Sequence, residues 1–279
     1  MLAIGPRAEE LGFDSLWVMD HLFHVGFVSD RLGERPYYHP MAVLSYLAAT
    51  TSKITLGTSV MVLPYHNPVE LAKYFVTLDH LSGGRVILGV GVGALTPEFE
   101  VLGVSMSDRA KLTDEGIKIM KELWTNGRPT FKSPRWDIKD VGFYPRPVQT
   151  PLPIWVGGMA PGAMKRAATL GDGWHPNGAT PENYRAKTDE VRAMAVAAGR
   201  DPAALTMSAR IEVGVRGEHL GDTSHTALVW ADDQDAMRTL LQQYRDAGCE
   251  HIVLALASGE VPLIQKSMEQ IARVLADVR

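Results

Sequence analysis

The chain has 279 residues, 46% hydrophobic and 22% charged, a balance that suits a soluble globular protein with a sizeable core and excludes a disordered tail. A formal net charge of −4, without any run of lysine or arginine, offers no field for a phosphate backbone, so nucleic acid is not an expected partner. The single cysteine, Cys249, excludes an internal disulfide framework; with no signal-peptide pattern and no apolar run near the roughly 18 residues of a membrane span, a cytoplasmic location and no membrane partner are expected.

The chain opens in an amphipathic stretch, residues 3–11, that reads as a helix closed by Gly12 and followed by an apolar run, 15–19. Glycine at a helix end takes the left-handed conformation without a Cβ clash and lets the chain turn into a strand. A second apolar run covers 54–62. Asn67 then reads as an N-cap with Pro68 at the first helical position, and Leu71, Phe75, Leu78 and Leu81 are expected on one face of that helix. It closes at Gly83-Gly84, directly before the run 86–92. A further helix is expected over about 108–124, with Leu112, Ile119, Met120 and Leu123 forming one buried stripe. Runs at 153–157, 172–175, 205–213 and 251–256 follow, the second introduced by Gly171 and the last by Gly248.

Strand and helix alternate throughout, and continuous apolar runs such as 54–62 and 86–92 suit parallel strands covered on both faces. The expected fold class is α/β, a TIM-type (β/α)8 barrel. Such a barrel has eight strands, whereas seven runs are visible. The first strand is therefore expected to be lacking, and residues 1–279 read as a single barrel domain, N-terminally incomplete. Either the start is truncated, or another segment or subunit covers the gap. The long connections 22–40, 130–151 and 216–231 are expected to cover an active site.

In a parallel barrel the chemistry lies at the C-terminal ends of the strands. Asp20-His21 follows the first run, Ser59 lies within the second, Gly89-Val90-Gly91-Val92-Gly93 ends the third, and Gly157-Gly158 and His175 end the next two. Singly, each has a plain reading. Asp20-His21 also reads as a cap beside a satisfied histidine, and the glycine run lacks the G-x-G-x-x-G spacing of a dinucleotide site. Gly157-Gly158 before Pro161 is either a strand-to-helix turn or a set of backbone N–H groups that cradles a phosphate, with Lys165 and Arg166 as helpers or as a solvated face. Neither an HExxH pair nor a G-x-S-x-G elbow occurs, so neither a metal site nor a hydrolytic apparatus is expected.

Phe13-Asp14-Ser15-Leu16-Trp17-Val18-Met19-Asp20-His21, Thr55-Leu56-Gly57-Thr58-Ser59-Val60, His66-Asn67-Pro68, Ser82-Gly83-Gly84-Arg85, Pro153-Ile154-Trp155-Val156-Gly157-Gly158 and Gly171-Asp172-Gly173-Trp174 come in a fixed order. That series resembles the luciferase-like monooxygenase superfamily over nearly the whole chain. The stretch 89–93, with Pro97-Glu98-Phe99-Glu100 and Asp108-Arg109, is similar to its F420-dependent branch. The resemblance implies coenzyme F420, with FMN as the alternative, bound in the barrel mouth over a bulged strand whose Ser59–Val60 peptide is cis. It implies that Val60 supports the ring, that Asp20 hydrogen-bonds its edge, and that Gly157, Gly158 and Met159 hold its phosphate. Ser59, Gly91, Gly93 and His175 complete the implied coenzyme site, and His21 is the implied proton-exchanging residue.

The implied reaction is hydride transfer between the deazaflavin and a small organic substrate. An FMN-dependent monooxygenase on the same barrel and a catalytically silent flavin-binding protein are the competing readings. Sugar-phosphate dehydrogenases of the branch carry a tryptophan soon after the histidine, where this chain has Leu22-Phe23-His24-Val25. Phe23, His24, Phe27, Tyr37, Tyr38 and His39 point instead to an apolar or aromatic substrate, or are packing residues. Family members often dimerise, so a homodimer is expected.

Overall fold

The computed structural model describes residues 3–218 and 228–278. Helix α1 (Ile4–Glu10) leads into strand β1 (Ser15–Val18). Helices α2 (Phe27–Leu32) and α3 (Pro40–Thr50) return the chain to β2 (Thr55–Thr58), which β3 (Met61–Val62) continues beyond a break at residues 59 and 60. Then come α4 (Pro68–Ser82), β4 (Val86–Gly91), α5 (Thr96–Val101), α6 (Arg109–Thr125) and a small hairpin of β5 (Phe131–Lys132) and β6 (Asp137–Ile138). The rest alternates: β7 (Ile154–Gly157), α7 (Pro161–Leu170), β8 (Gly173–His175), α8 (Pro181–Ala197), β9 (Thr206–Gly214), β10 (Leu228–Trp230), α9 (Gln234–Asp246), β11 (His251–Leu256) and α10 (Val261–Val278).

The sheet runs β1-β2-β4-β7-β8-β9, with β11 on the far side of β9, β3 extending along β4, and β10 along the end of β9. Its pairs are parallel, as crossover connections through helices require. The predicted runs all take places in this sheet. β10 was not foreseen: three residues are too few to show a pattern, and residues 219–227 of the 216–231 connection lie outside the described residues.

The sheet curls until its edges, β1 and β11, face one another. No ladder is described between them; side chains bridge the seam instead. Ser15 Oγ lies 2.9 Å from His251 Nε2, and Arg7 of α1 reaches Glu269 of α10 at 2.7 Å. Inside the curl, Trp17 stacks on Trp155 and on His175 at centroid distances of 5.3 and 5.1 Å. Leu56, Leu88, Val90, Ile154 and Ile211 are buried against the surrounding helices, the double cover that made those runs continuously apolar.

Helix α4 begins as expected, the Asn67 side chain accepting from the N–H groups of Val69 and Glu70, and ends at Gly83 with φ of 68°. Leu71, Phe75 and Leu78 are buried, but Leu81 is 64% exposed and corrects the predicted stripe. At about 100° per residue the face through 71, 75 and 78 next meets position 82, and Ser82 is the residue buried there.

The 130–151 connection is divided between the two ends of the sheet. It is braced on the C-terminal part of α4, where the Asp79 carboxylate accepts from the Val148 and Gln149 N–H groups at 2.7 and 3.1 Å and His80 donates to the Arg146 carbonyl. That end of α4 leads into the start of β4, whereas Arg135 and Trp136 of the same connection line a cavity with His66 and Asn67, at the strands' C-terminal ends. No helix among the described residues is long and apolar enough to cross a membrane.

Candidate functional site

Asp20 and His21 leave the end of β1 beside the segment after β3. The buried Asp20 carboxylate accepts through Oδ2 from the Val62 N–H at 2.9 Å and from His66 Nε2 at 2.7 Å. Its other oxygen, Oδ1, is buried without a partner among the described residues. His21 is oriented by Glu98 of α5, with Nδ1 3.2 Å from Oε2. Glu98 has no exposed surface and also accepts from the Leu22 and Phe23 N–H groups and from the Tyr65 hydroxyl at 2.9 Å. Burial first, and then that carboxylate, push the Tyr65 phenol upward, so it stays a neutral donor. Since a carboxylate only accepts, Nδ1 of His21 carries a proton, and Nε2 is the nitrogen that can exchange one with a ligand.

The break between β2 and β3 carries the cis peptide Ser59–Val60 implied by the resemblance. Ser59 Oγ is 2.8 Å from His175 Nε2. Both ring nitrogens of His175 are engaged, Nδ1 with Ser208 Oγ at 2.7 Å, so neither is left for a further partner. Burial, aided by the nearby Arg210 guanidinium, pushes its pKa down to about 3.

The glycines have a packing cause. A Cβ on Gly91 would stand 2.5 Å from Val60 Cγ2, and one on Gly157 would stand 3.0 Å from Val60 Cγ1. β4 and β7 thus leave the space in which the Val60 methyls seat. A Cβ on Gly93 would meet Val62 and Phe99, the neighbour of Glu98. Gly158, at φ of 106°, turns the chain from β7 toward α7; its carbonyl accepts from the Trp174 indole at 2.9 Å, and Met159 packs partly buried beside it. Lys165 is exposed, whereas Arg166 is buried against Asp114 and the Ala110 carbonyl and is not available to a phosphate.

The predicted residues therefore gather at one end of the sheet. A cavity of about 470 Å³ opens there beside His21, Tyr37, Ser59 and Arg210 and continues along the β1–β11 seam. Of the aromatic residues in the 22–40 connection, Phe27 and Tyr37 contact the His21 ring edge-on at 5.2 and 5.9 Å. Phe23 and Tyr38 are largely exposed, and His24 bonds the Arg35 carbonyl. Tyr65 and Arg210 stand at this end of the sheet without a place in the sequence motifs, and Glu98 and His66, which have one, meet His21 and Asp20 only in the fold. Arg210 is buried on β9, donating to Asn177 Oδ1 at 2.7 Å and to Glu212 at 3.0 Å, and Arg31 of α2 pairs with the same Glu212 at 2.9 Å. A lone arginine inside the apolar run 205–213 was the available signal.

Comparison with known proteins gives a consistent picture. The family described as luciferase-like monooxygenase matches residues 1–271. An F420-dependent glucose-6-phosphate dehydrogenase of Amycolatopsis mediterranei is 37% identical over 60% of this chain, a stretch spanning about half (50%) of that relative's length. Another protein of that name, from Beutenbergia cavernae, is 32% identical over 91% of this chain and 86% of its own. An F420-dependent secondary alcohol dehydrogenase, solved with an F420-acetone adduct, superposes with a TM-score of 0.85 at 23% identity, covering 100% of this chain and 94% of that one. The long-chain alkane monooxygenase LadA superposes with a TM-score of 0.81 at 15% identity, covering 99% and 83%. The last two likenesses concern the fold.

Proposed function

Because this chain belongs to the luciferase-like monooxygenase family, we propose that it is an oxidoreductase using coenzyme F420 to move a hydride to or from a small apolar or aromatic organic substrate. One observation carries the proposal: His21, oriented by a buried carboxylate, stands beside Asp20, whose buried Oδ1 has no partner among the described residues. Leaving a buried acceptor unsatisfied costs on the order of 1–3 kcal/mol, more for a charged group. The residues present therefore fit a ligand that brings an N–H or O–H to that edge. When bound, F420 supplies two-electron hydride exchange.

The protein's own groups do the rest. Asp20 accepts from the ring edge, and Val60, seated on Gly91 and Gly157, supports the ring face. Gly93 keeps the turn that brings Phe99 and Glu98 to the mouth. Gly157, Gly158 and Met159 hold the phosphate with backbone N–H groups ahead of α7. Ser59, backed by His175, completes the floor. His21 Nε2 gives or takes the proton that accompanies the hydride, and Phe27 and Tyr37 favour an apolar or aromatic substrate over a sugar phosphate. The curled sheet is read as belonging to the TIM-type (β/α)8 barrel class, and the enzyme as a cytoplasmic homodimer.

Titrating oxidised and reduced F420 and FMN separately, with tryptophan fluorescence as readout, tests the coenzyme assignment. Trp17, stacked on His175, is placed to report binding. F420 is expected to quench and Asp20→Ala to weaken its binding; tight binding of FMN alone overturns the assignment, and binding of neither favours a silent protein.

A further inference from the structure

Ser208 on β9 is fully buried, its hydroxyl 3.0 Å from the Trp174 carbonyl oxygen and 2.7 Å from His175 Nδ1. A carbonyl oxygen only accepts, and a serine hydroxyl has one proton to give. Were that proton directed at Nδ1, lone pairs of two oxygens would face each other at 3.0 Å in a buried place. Ser208 therefore donates to Trp174 and accepts from His175, which puts the imidazole proton on Nδ1. Nε2 then holds a lone pair, and Ser59 Oγ, 2.8 Å away, directs its own proton there. The ring cannot escape this order by taking a second proton, because its burial and the Arg210 charge keep it neutral. Stacking on Trp17 at 5.1 Å fixes its plane.

We propose that Ser208 and His175 form a buried relay that holds Ser59 Oγ as a hydrogen-bond acceptor at the site mouth, selecting a ligand that presents an N–H or O–H to it. The naming of that ligand as F420 rests on the function proposed above; the proton order does not. Neither Ser208 nor His175 touches the ligand, and both are positioning residues. Asp20 Oδ1 is a second bare acceptor at the same end of the sheet. The floor thus asks for a ligand edge rich in donors, while side chains that can donate, among them His21, Arg31, Tyr37 and Arg210, stand elsewhere around the cavity.

The test begins with ligand-free, full-length protein labelled with 15N-histidine, the His175 ring being assigned through the backbone. A protonated Nδ1 and a bare Nε2 are expected at pH 7; a proton on Nε2, or on both nitrogens, overturns the relay. Next, Ser208→Ala is expected to shift the tautomer and to raise the F420 dissociation constant about tenfold, the scale of one well-oriented hydrogen bond. Ser208→Thr is expected to restore both. A Ser208→Ala protein with the wild-type tautomer and affinity overturns the relay. Should the wild type bind no F420, the coenzyme assignment falls while the imidazole spectrum still judges the relay, so the two failures are distinct.

Discussion

His21 and His175 stand at the same end of one sheet, and their surroundings are opposite in kind. The rim histidine has a carboxylate for a partner, which accepts from Nδ1–H whether or not Nε2 is protonated, and its side chain keeps 12% of its surface. The floor histidine lies between two hydroxyls, both nitrogens engaged, with an arginine nearby and 2% of its surface exposed. One leaves Nε2 without a protein partner among the described residues, the other has both nitrogens engaged. Residue type does not decide which; the surroundings do.

The largest test of that contrast is His21→Ala. Loss of a positioned acid or base lowers turnover by about 100- to 10,000-fold, and with F420 bound this is the expected fall in kcat, while F420 affinity stays close to the wild type. Retained turnover breaks the contrast at the rim. Glu98→Gln comes next. The amide still offers one oxygen to Leu22 and Phe23, but it turns an NH2 toward His21 Nδ1 and the Tyr65 hydroxyl. An imidazole held in the wrong tautomer lowers kcat by about 100-fold or more. Steady-state kinetics with the preferred coenzyme reads both variants.

The floor histidine gives a stability test. In the unfolded chain an imidazole takes its proton near pH 6.5, whereas native His175 does so only near pH 3. Between those values the unfolded state holds the extra proton. Stability from this group is therefore fully present above about pH 6.5 and falls by about 1.4 kcal/mol per pH unit below it. Urea unfolding at pH 7 and pH 5 should show about 2 kcal/mol more loss in the wild type than in His175→Gln. Parallel losses would mean that His175 is not held neutral.

Much of the fold was legible because parallel strands buried on both faces are continuously apolar and helices end in glycine; Asn67, Gly83 and the run 86–92 are examples. Of the site, Asp20, His21, Ser59 and His175 were legible because each directly follows or interrupts such a run. Tyr65 was not, and although Glu98 and His66 stood in recognisable motifs, their pairing with His21 and Asp20 was not, since it depends on how connecting segments pack. Gly91 and Gly157 could be read as glycines, but the Val60 methyls that require them come from another strand. Strand β10 and helix α2 are short elements inside long connections, where local pattern is too brief to separate strand or helix from loop.

The smallest effect sharpens the account of the rim. Phe27 lies on α2, half exposed, its ring edge-on to His21 at 83° and 5.2 Å. An aromatic pair of that geometry contributes about 0.5–1.5 kcal/mol, and exposure places this one at the lower end. Phe27→Leu should therefore raise KM only about two- to threefold, the equivalent of roughly 0.5 kcal/mol, with kcat nearly unchanged, because Glu98 still holds Nδ1. Varying substrate at saturating coenzyme separates the two parameters. If kcat fell as far as in Glu98→Gln, the helix and not the carboxylate would be positioning His21. The contrast between a carboxylate-partnered rim histidine and a hydroxyl-partnered floor histidine would then lose its physical basis.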